Sequence, residues 1–221
     1  MRKINLQLSV RESDMIGHIP DFLTLDEINQ IKLVNAKRPF RMASTRWSAG
    51  DNRVRWCKKR TQIEFPFYDR LLQAVKLYNS KSYNFHLYNE RQEHEINWVR
   101  YDEKGMFFTA HRDHRPALSN FHLKESIRKI SCSIQLTPDD MYEGGDLKVV
   151  ESFTHPDVYF DSNKMPEWIT HRESFRHSFP TMRKQGSITM FTSIHEHEST
   201  PIKEGMRDVI VVFMRGESSG Y

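Results

Sequence analysis

Two hydrophobic patterns divide the chain. In the first third, apolar residues recur at helical spacing. Leu23-Thr24-Leu25-Asp26-Glu27 opens a helix with Thr24 as its cap, and Ile28, Ile31, Leu33 and Val34 supply an apolar face. A second helix is predicted from about Phe67 to Tyr78, with Leu71, Leu72, Val75 and Leu77 apolar. Alternation with period two then takes over, in Ser82–Leu87, Glu95–Tyr101, Lys129–Leu136, Asp146–Val150, Ser187–Phe191 and Asp208–Phe213. These segments carry β-branched and aromatic residues and are predicted as strands. Gly144-Gly145 marks a turn or a close backbone approach. Helices followed by many strands predict an α+β, mainly β fold, in which a sheet sandwich or barrel is buttressed by N-terminal helices.

Residues 151–184 break the alternation. They are rich in His, Pro, Ser and charge, with Trp168, Phe175 and Phe179 scattered through them. An insertion that long over a sheet edge is expected to act as a lid. At 221 residues the chain is expected to form a single domain: residues 1–95 give helical support and the first strands, and 96–216 the β core.

Composition narrows the classes only a little. The 33 basic and 29 acidic residues leave a net charge of +4, which argues neither for nor against an anionic partner. No obvious basic, aromatic-studded patch appears, so nucleic acid is not the expected partner. No apolar run approaches a membrane span, and the N-terminus lacks an apolar signal region, so no membrane association is expected. Cys57 and Cys132 make neither a disulfide framework nor a thiolate zinc site, and a cytoplasmic location is expected.

The chemistry concentrates in Thr109-Ala110-His111-Arg112-Asp113-His114 and His195-Glu196-His197-Glu198. Two imidazoles and one carboxylate suit Fe(II) and leave open coordination positions. On a strand, residues two apart point the same way, so His111 and Asp113 can reach one ion. The third ligand then comes from a facing strand, with His197 and His195 as rivals that strand parity does not separate. With 11 histidines in the chain, a lone His-x-Asp is weak evidence and more often describes a polar surface turn. Arg207 opens the strand that carries Val209, Val211 and Phe213, and an arginine on that apolar face is costly unless an anion meets it. On the strand 129–136, Ile130, Cys132, Ile134 and Leu136 share one face. Ser131, Ser133 and Gln135 share the other, which faces either a polar ligand or water.

Tyr101, Gly105, Phe108, His111 and Asp113 form a Y-x3-G-x2-F-x2-H-x-D run. It is followed by Y-E-G-G-D-L at 142–147, G-S-I-T-M-F at 186–191 and H-E-S-T-P-I-K-E-G-M-R at 197–207. In this order the motifs resemble the prolyl 4-hydroxylase-like branch of the Fe(II)/2-oxoglutarate oxygenases, over about residues 15–216, with the likeness fading in 151–184. The resemblance implies a double-stranded β-helix core of the jelly-roll or cupin kind. It implies Fe(II) on His111, Asp113 and His197, with 2-oxoglutarate and O2 as co-substrates and ascorbate as a possible auxiliary reductant. In that family a basic residue follows the distal histidine by about ten positions, after a Pro and a Gly. Arg207 lies ten positions after His197, with Pro201 and Gly205 between, which favours His197 over His195 and makes Arg207 the anchor for the distal carboxylate. Tyr101, Gln135 and Ser131 are the further cofactor-binding candidates. Gln135 departs from the pattern, because some relatives carry a tyrosine there. Leu147, Phe191 and Phe213 are candidate walls. Halogenating relatives lack the carboxylate that Asp113 supplies, so hydroxylation is the implied reaction.

The resemblance points to a prolyl residue in a peptide or protein as substrate, with a free amino acid or other small metabolite as the rival. Two other classes stand beside it: a β-helix module that binds a ligand without turnover, and a zinc hydrolase, although no H-E-x-x-H motif is present.

Overall fold

The computed structural model describes residues 9–11, 16–43, 55–114, 126–149 and 180–217. In chain order the strands are β1 (Ser9–Arg11), β2 (Ile16–Ile19), β3 (Arg41–Met42), β4 (Arg55–Trp56), β5 (Lys58–Arg60), β6 (Glu95–Tyr101) and β7 (Phe107–His111), followed by β8 (Ser126–Gln135), β9 (Tyr142–Gly144), β10 (Leu147–Val149), β11 (Ile188–Thr192), β12 (His197–Ser199), β13 (Ile202–Gly205) and β14 (Arg207–Glu217). Two helices, α1 (Leu25–Val34) and α2 (Tyr68–Lys81), fall before β6.

The strands form an eight-stranded sheet in the order β1-β2-β11-β8-β14-β6-β5-β3 and a four-stranded sheet in the order β10-β12-β7-β4; β13 and β9 pair separately. All named pairings are antiparallel, and both larger sheets contribute side chains to one internal cavity. This is the two-sheet arrangement of a double-stranded β-helix.

β14 is the axis of the large sheet. Its Val211 faces Asn97 of β6 on one side and Ser133 of β8 on the other. Alternation gives each of these strands two faces. Ile130, Cys132 and Ile134 join Ile96, Trp98, Ile210, Val212 and Met214 in the main core. Ile28, Ile31, Leu71, Ala74, Val75 and Tyr78 of the two helices cover that face. The opposite face, carrying Ser131, Ser133, Val209, Val211 and Phe213, lines the cavity. The polar side of the strand thus turns inward to the site rather than out to water.

Local chemistry fixes the helices. The Thr24 hydroxyl accepts from the Glu27 amide at 3.3 Å, and Glu27 accepts from the Thr24 amide at 2.9 Å, a complete capping box. Arg70 of α2 then grips the same Glu27 carboxylate with two nitrogens at 2.9 and 2.8 Å, tying the helices together. Leu33 and Val34, expected on the apolar face, are exposed instead, because the buried stripe of α1 ends at Ile31. α2 runs to Lys81, past the expected end at Tyr78, and Asn79 joins its buried face. Residues 82–87 are not a strand: only Leu87 pairs, in a single bridge to Gly216, and Asn79 takes up the Phe85 backbone at both its amide and its carbonyl. Most of the expected lid at 151–184 lies outside the described residues. No helix among the described residues is long and apolar enough to cross a membrane.

Candidate metal centre

His111 ends β7, and His197 begins β12, the neighbouring strand in the small sheet, directly across the ladder. The third candidate ligand therefore lies on an adjacent hydrogen-bonded strand rather than on a facing one. Asp113 lies two residues beyond the end of β7, so it is the chain just past the strand, and not strand parity, that brings its carboxylate to His111. The His111, Asp113 and His197 ligand atoms lie within 4.8 Å of one another. Asp113 Oδ2 is 3.1 Å from His197 Nε2, and Oδ1 is 3.5 Å from His111 Nε2.

The backs of both rings are fixed. His111 Nδ1 donates to the Thr109 carbonyl at 2.7 Å and His197 Nδ1 to the His195 carbonyl at 3.0 Å. With the proton on Nδ1, the Nε2 lone pairs of both rings are directed at the carboxylate. Two such lone pairs facing a carboxylate are matched by a proton on one ring or by a metal ion. Burial opposes ionisation of Asp113, yet His197 and His111 hold its carboxyl well below the usual carboxylate range. Burial and the neighbouring His197 push His111 down to about 4, whereas His197 is raised because Asp113 outweighs its burial. The donor set and its geometry fit a divalent metal that takes imidazole and carboxylate ligands. Phe108 stacks on His111 at 3.6 Å between centroids and Phe191 lies 4.7 Å from His197, so apolar rings hold both imidazoles in place.

His195, the rival ligand, lies outside β12. Its Nδ1 meets the Thr192 hydroxyl at 2.8 Å, and its carbonyl orients His197. Ser131 lines the cavity, and its hydroxyl donates to Asp113 Oδ2 at 2.8 Å while touching the Ser193 hydroxyl at 3.0 Å. It thus sits where it orients the carboxylate.

Arg207 lies across the β14–β6 ladder from Tyr101, and its guanidinium carbon is 5.6 Å from that ring's centroid. It is 3% exposed and has no carboxylate partner among the described residues. Its Nε donates to Gln135 Oε1 at 3.2 Å and its Nη1 to Ser199 Oγ at 3.4 Å. Gln135 braces Arg207: its side-chain oxygen accepts from the guanidinium, and its amide nitrogen donates to the Tyr142 hydroxyl at 3.0 Å. The next residue, Asp208, is turned to the other face and holds Arg100 through two 2.8 Å contacts. A buried guanidinium with only neutral partners is costly, and an anion at the fork would offset that cost.

The cavity of about 210 Å³ joins the triad and Arg207, with Tyr101, Leu147, Phe191, Val209, Val211 and Phe213 among its walls. Arg55, Lys59, Asn97 and Arg128 also line it, and none of them stood out in the sequence. The basic run Lys58-Lys59-Arg60 was visible, but the fold decides which of its side chains points inward.

No protein-family model and no curated protein matches the sequence. Solved structures do match in shape. A Pseudomonas putida prolyl-4-hydroxylase superposes with a TM-score of 0.59 at 15% identity, covering 92% of this chain and 94% of its own. The fold is that of the prolyl 4-hydroxylase-like oxygenases. A Trichoplax adhaerens prolyl hydroxylase, solved with a hypoxia inducible factor peptide fragment, shares the oxygenase fold at TM-score 0.54 and 17% identity, covering 91% of this chain and 83% of its own. HygX from Streptomyces hygroscopicus, solved with nickel, 2-oxoglutarate and hygromycin B, does so at TM-score 0.59 and 12% identity, over 94% and 85%. One oxygenase fold thus occurs in a structure with a peptide and in another with a small molecule.

Proposed function

We propose that this protein is an Fe(II)- and 2-oxoglutarate-dependent oxygenase that hydroxylates an unactivated C–H bond, with residues 96–216 as its catalytic unit. The observation that carries this reading is the pairing of two features in one cavity: a His-Asp-His cluster with its Nε2 lone pairs converging, and a buried arginine with no carboxylate. His111, Asp113 and His197 would hold the metal, and Arg207 would receive the distal carboxylate of 2-oxoglutarate. When bound, Fe(II) supplies activation of O2 coupled to decarboxylation of 2-oxoglutarate to succinate and carbon dioxide.

The chain's own groups do the rest. The Thr109 and His195 carbonyls keep the protons on Nδ1 and free both Nε2 atoms. Ser131 fixes Asp113, leaving its charge available to the metal. Gln135 and Ser199 aim the Arg207 fork along one direction. Val209, Val211, Phe191 and Phe213 line the space between them with apolar surface, and water excluded there would strengthen each charged contact.

The motif resemblance and the prolyl hydroxylase neighbours support a prolyl residue as the substrate. The neighbour solved with hygromycin B keeps a small molecule as the second reading. The test is succinate release from 2-oxoglutarate with Fe(II) under air, followed by mass spectrometry for a gain of one oxygen on proline-containing peptides and on free amino acids. Absence of succinate under every condition overturns the oxygenase reading in favour of a binding module. Activity that needs zinc and no oxygen overturns it in favour of a hydrolase.

A further inference from the structure

The charges around the cavity do not balance even when the proposed ligands are counted. Five basic side chains line it, Arg55, Lys59, Arg112, Arg128 and Arg207, against one acid, Asp113. Arg128 is matched by Glu95, whose carboxylate takes both its nitrogens at 3.1 and 2.7 Å. Arg112 has Glu196 at 3.9 Å. On the reading above, one carboxylate of 2-oxoglutarate goes to Arg207, and the other joins Asp113 in neutralising a divalent metal. Arg55 and Lys59 are left over: neither forms a direct ion pair among the described residues, and the acids that act on them, Asp113 on Arg55 and Glu95 on Lys59, are already engaged by the metal cluster and by Arg128 with Arg215.

Their placement is specific. The chain crosses from the small sheet to the large one between β4 and β5, so Arg55 and Lys59 close one side of the cavity from opposite walls. Arg55 is held by the Cys57 sulfur, 3.1 Å from its Nε, and by the Phe108 ring, 4.4 Å from its guanidinium carbon. Phe108 also stacks on His111, which puts this guanidinium next to the metal cluster. Lys59 shares a ladder row with Val99 and Val209. Arg55, Lys59 and Arg128 line the same cavity, and burial with the two arginines outweighs Glu95 and Cys57 to push the Lys59 ammonium down to about 8. Asn97, one step along β6, is 2% exposed, and its amide nitrogen has no acceptor. A buried donor without an acceptor, lining one cavity with two cations that have no direct ion pair, is where an anion would be stabilised.

We propose that the substrate carries a carboxylate, and that Arg55, Lys59 and Asn97 hold it beside the metal centre. This rests on the oxygenase reading and names its substrate class. A carboxylate offers two oxygens to the Arg55 fork and remaining lone pairs to the ammonium and the amide. A cavity of about 210 Å³ that also admits 2-oxoglutarate favours this compact anion over a bulkier phosphoryl group. An internal prolyl residue between neutral neighbours gives this wall nothing to bind. Free proline, or a prolyl residue followed by an acidic one, does.

The experiment uses the full chain loaded anaerobically with Fe(II) and 2-oxoglutarate, and matched probes: L-proline against L-prolinamide, capped Pro-Asp against capped Pro-Asn, and the other free amino acids against their amides. Binding is measured by calorimetry, then turnover after admission of air. Acids are expected to bind at least about tenfold more tightly than their neutral partners, and the free-acid and peptide arms identify the source of the carboxylate. Lys59→Met and Arg55→Met should collapse that ratio toward one, which lost packing alone does not do. Should Arg55→Met fail to fold, Lys59→Met carries the test. Equal binding of acids and amides, or binding of neither, overturns the carboxylate site while succinate release in air without substrate leaves the oxygenase reading standing. Loss of succinate release and of metal binding together indicts that reading instead.

Discussion

His197 stands opposite His111 in the ladder between β12 and β7, and the two imidazole centroids lie 4.3 Å apart. Register therefore builds the cluster: the same backbone hydrogen bonds that pair the strands set the spacing of the two rings. His195 is two residues earlier, outside the strand, with its ring turned to Thr192.

That difference separates the two histidines experimentally. His197→Ala is expected to lower Fe(II) affinity by more than the roughly 10–100-fold that loss of a supporting hydrogen bond costs. His195→Ala keeps the carbonyl that orients His197 and should lower affinity by far less, its main cost being thermal stability from a buried ring. Calorimetric titration of both variants with Fe(II) under anaerobic conditions decides it; equal losses would remove His197 from its assigned place.

Ser131→Ala removes the hydroxyl that donates to Asp113 Oδ2. The carboxylate keeps its charge but loses its orientation. Metal affinity should fall roughly 10–100-fold with little change in secondary structure. An affinity equal to that of the wild type would show that the contact does not position the ligand.

Much of this arrangement is legible in the sequence because it depends on local alternation. The split of β8 into Ile130, Cys132 and Ile134 on one face and Ser131 and Ser133 on the other follows from period two alone. What the sequence does not reveal is which strands become neighbours. The third candidate ligand was expected from a facing strand, whereas His197 lies on the strand hydrogen-bonded to β7, and the contact between Ser131 and Asp113 needs tertiary pairing to appear. The segment 82–87 alternates like a strand, yet Asn79 takes up the Phe85 backbone groups that a ladder would need. Arg55 and Lys59 are unremarkable in a chain with 33 basic residues until the fold turns them inward.

Arg207→Lys is expected to raise the KM for 2-oxoglutarate. A lysine keeps the charge but not the planar fork that Gln135 and Ser199 aim. A charge-assisted hydrogen bond contributes roughly 1.5–3 kcal/mol, so the increase should be about 10- to 100-fold, with Fe(II) affinity nearly unchanged. Steady-state succinate release over a range of 2-oxoglutarate concentrations measures it; an unaltered KM would place the distal carboxylate elsewhere.

Gly145 tests the same anchor from its other side. Its φ is +63°, and an added Cβ would fall 2.5 Å from Ile202 Cδ1 and 3.3 Å from Arg207 Cδ. Gly145→Ala should cost about 1–2 kcal/mol in backbone strain and displace the Arg207 stem, so the melting temperature falls and the 2-oxoglutarate KM rises together. A fall in melting temperature with KM unmoved would mean that Ile202 alone absorbs the methyl group.

Glu95 gives the fold a pH dependence of definite sign. Its carboxylate takes Arg128 through two nitrogens and Arg215 Nη2 at 2.6 Å. Burial opposes ionisation, but the two arginines outweigh it and lower the pKa from its ordinary 4.5. A group whose folded pKa is depressed binds more protons when unfolded, so its stabilisation is complete above the unfolded pKa and is lost as pH falls through the folded one. Glu95→Gln should therefore be less stable than wild type by about 3 kcal/mol at neutral pH, because one partner of a buried pair has been removed. The gap should hold to about pH 5 and narrow below the ordinary value of 4.5. Urea unfolding of both proteins in chelator, at neutral pH and at several acid values, measures it, with chelation removing any contribution from metal release. A gap that stays constant into acid would show that the shape of the side chain, rather than its charge, holds Arg128 and Arg215.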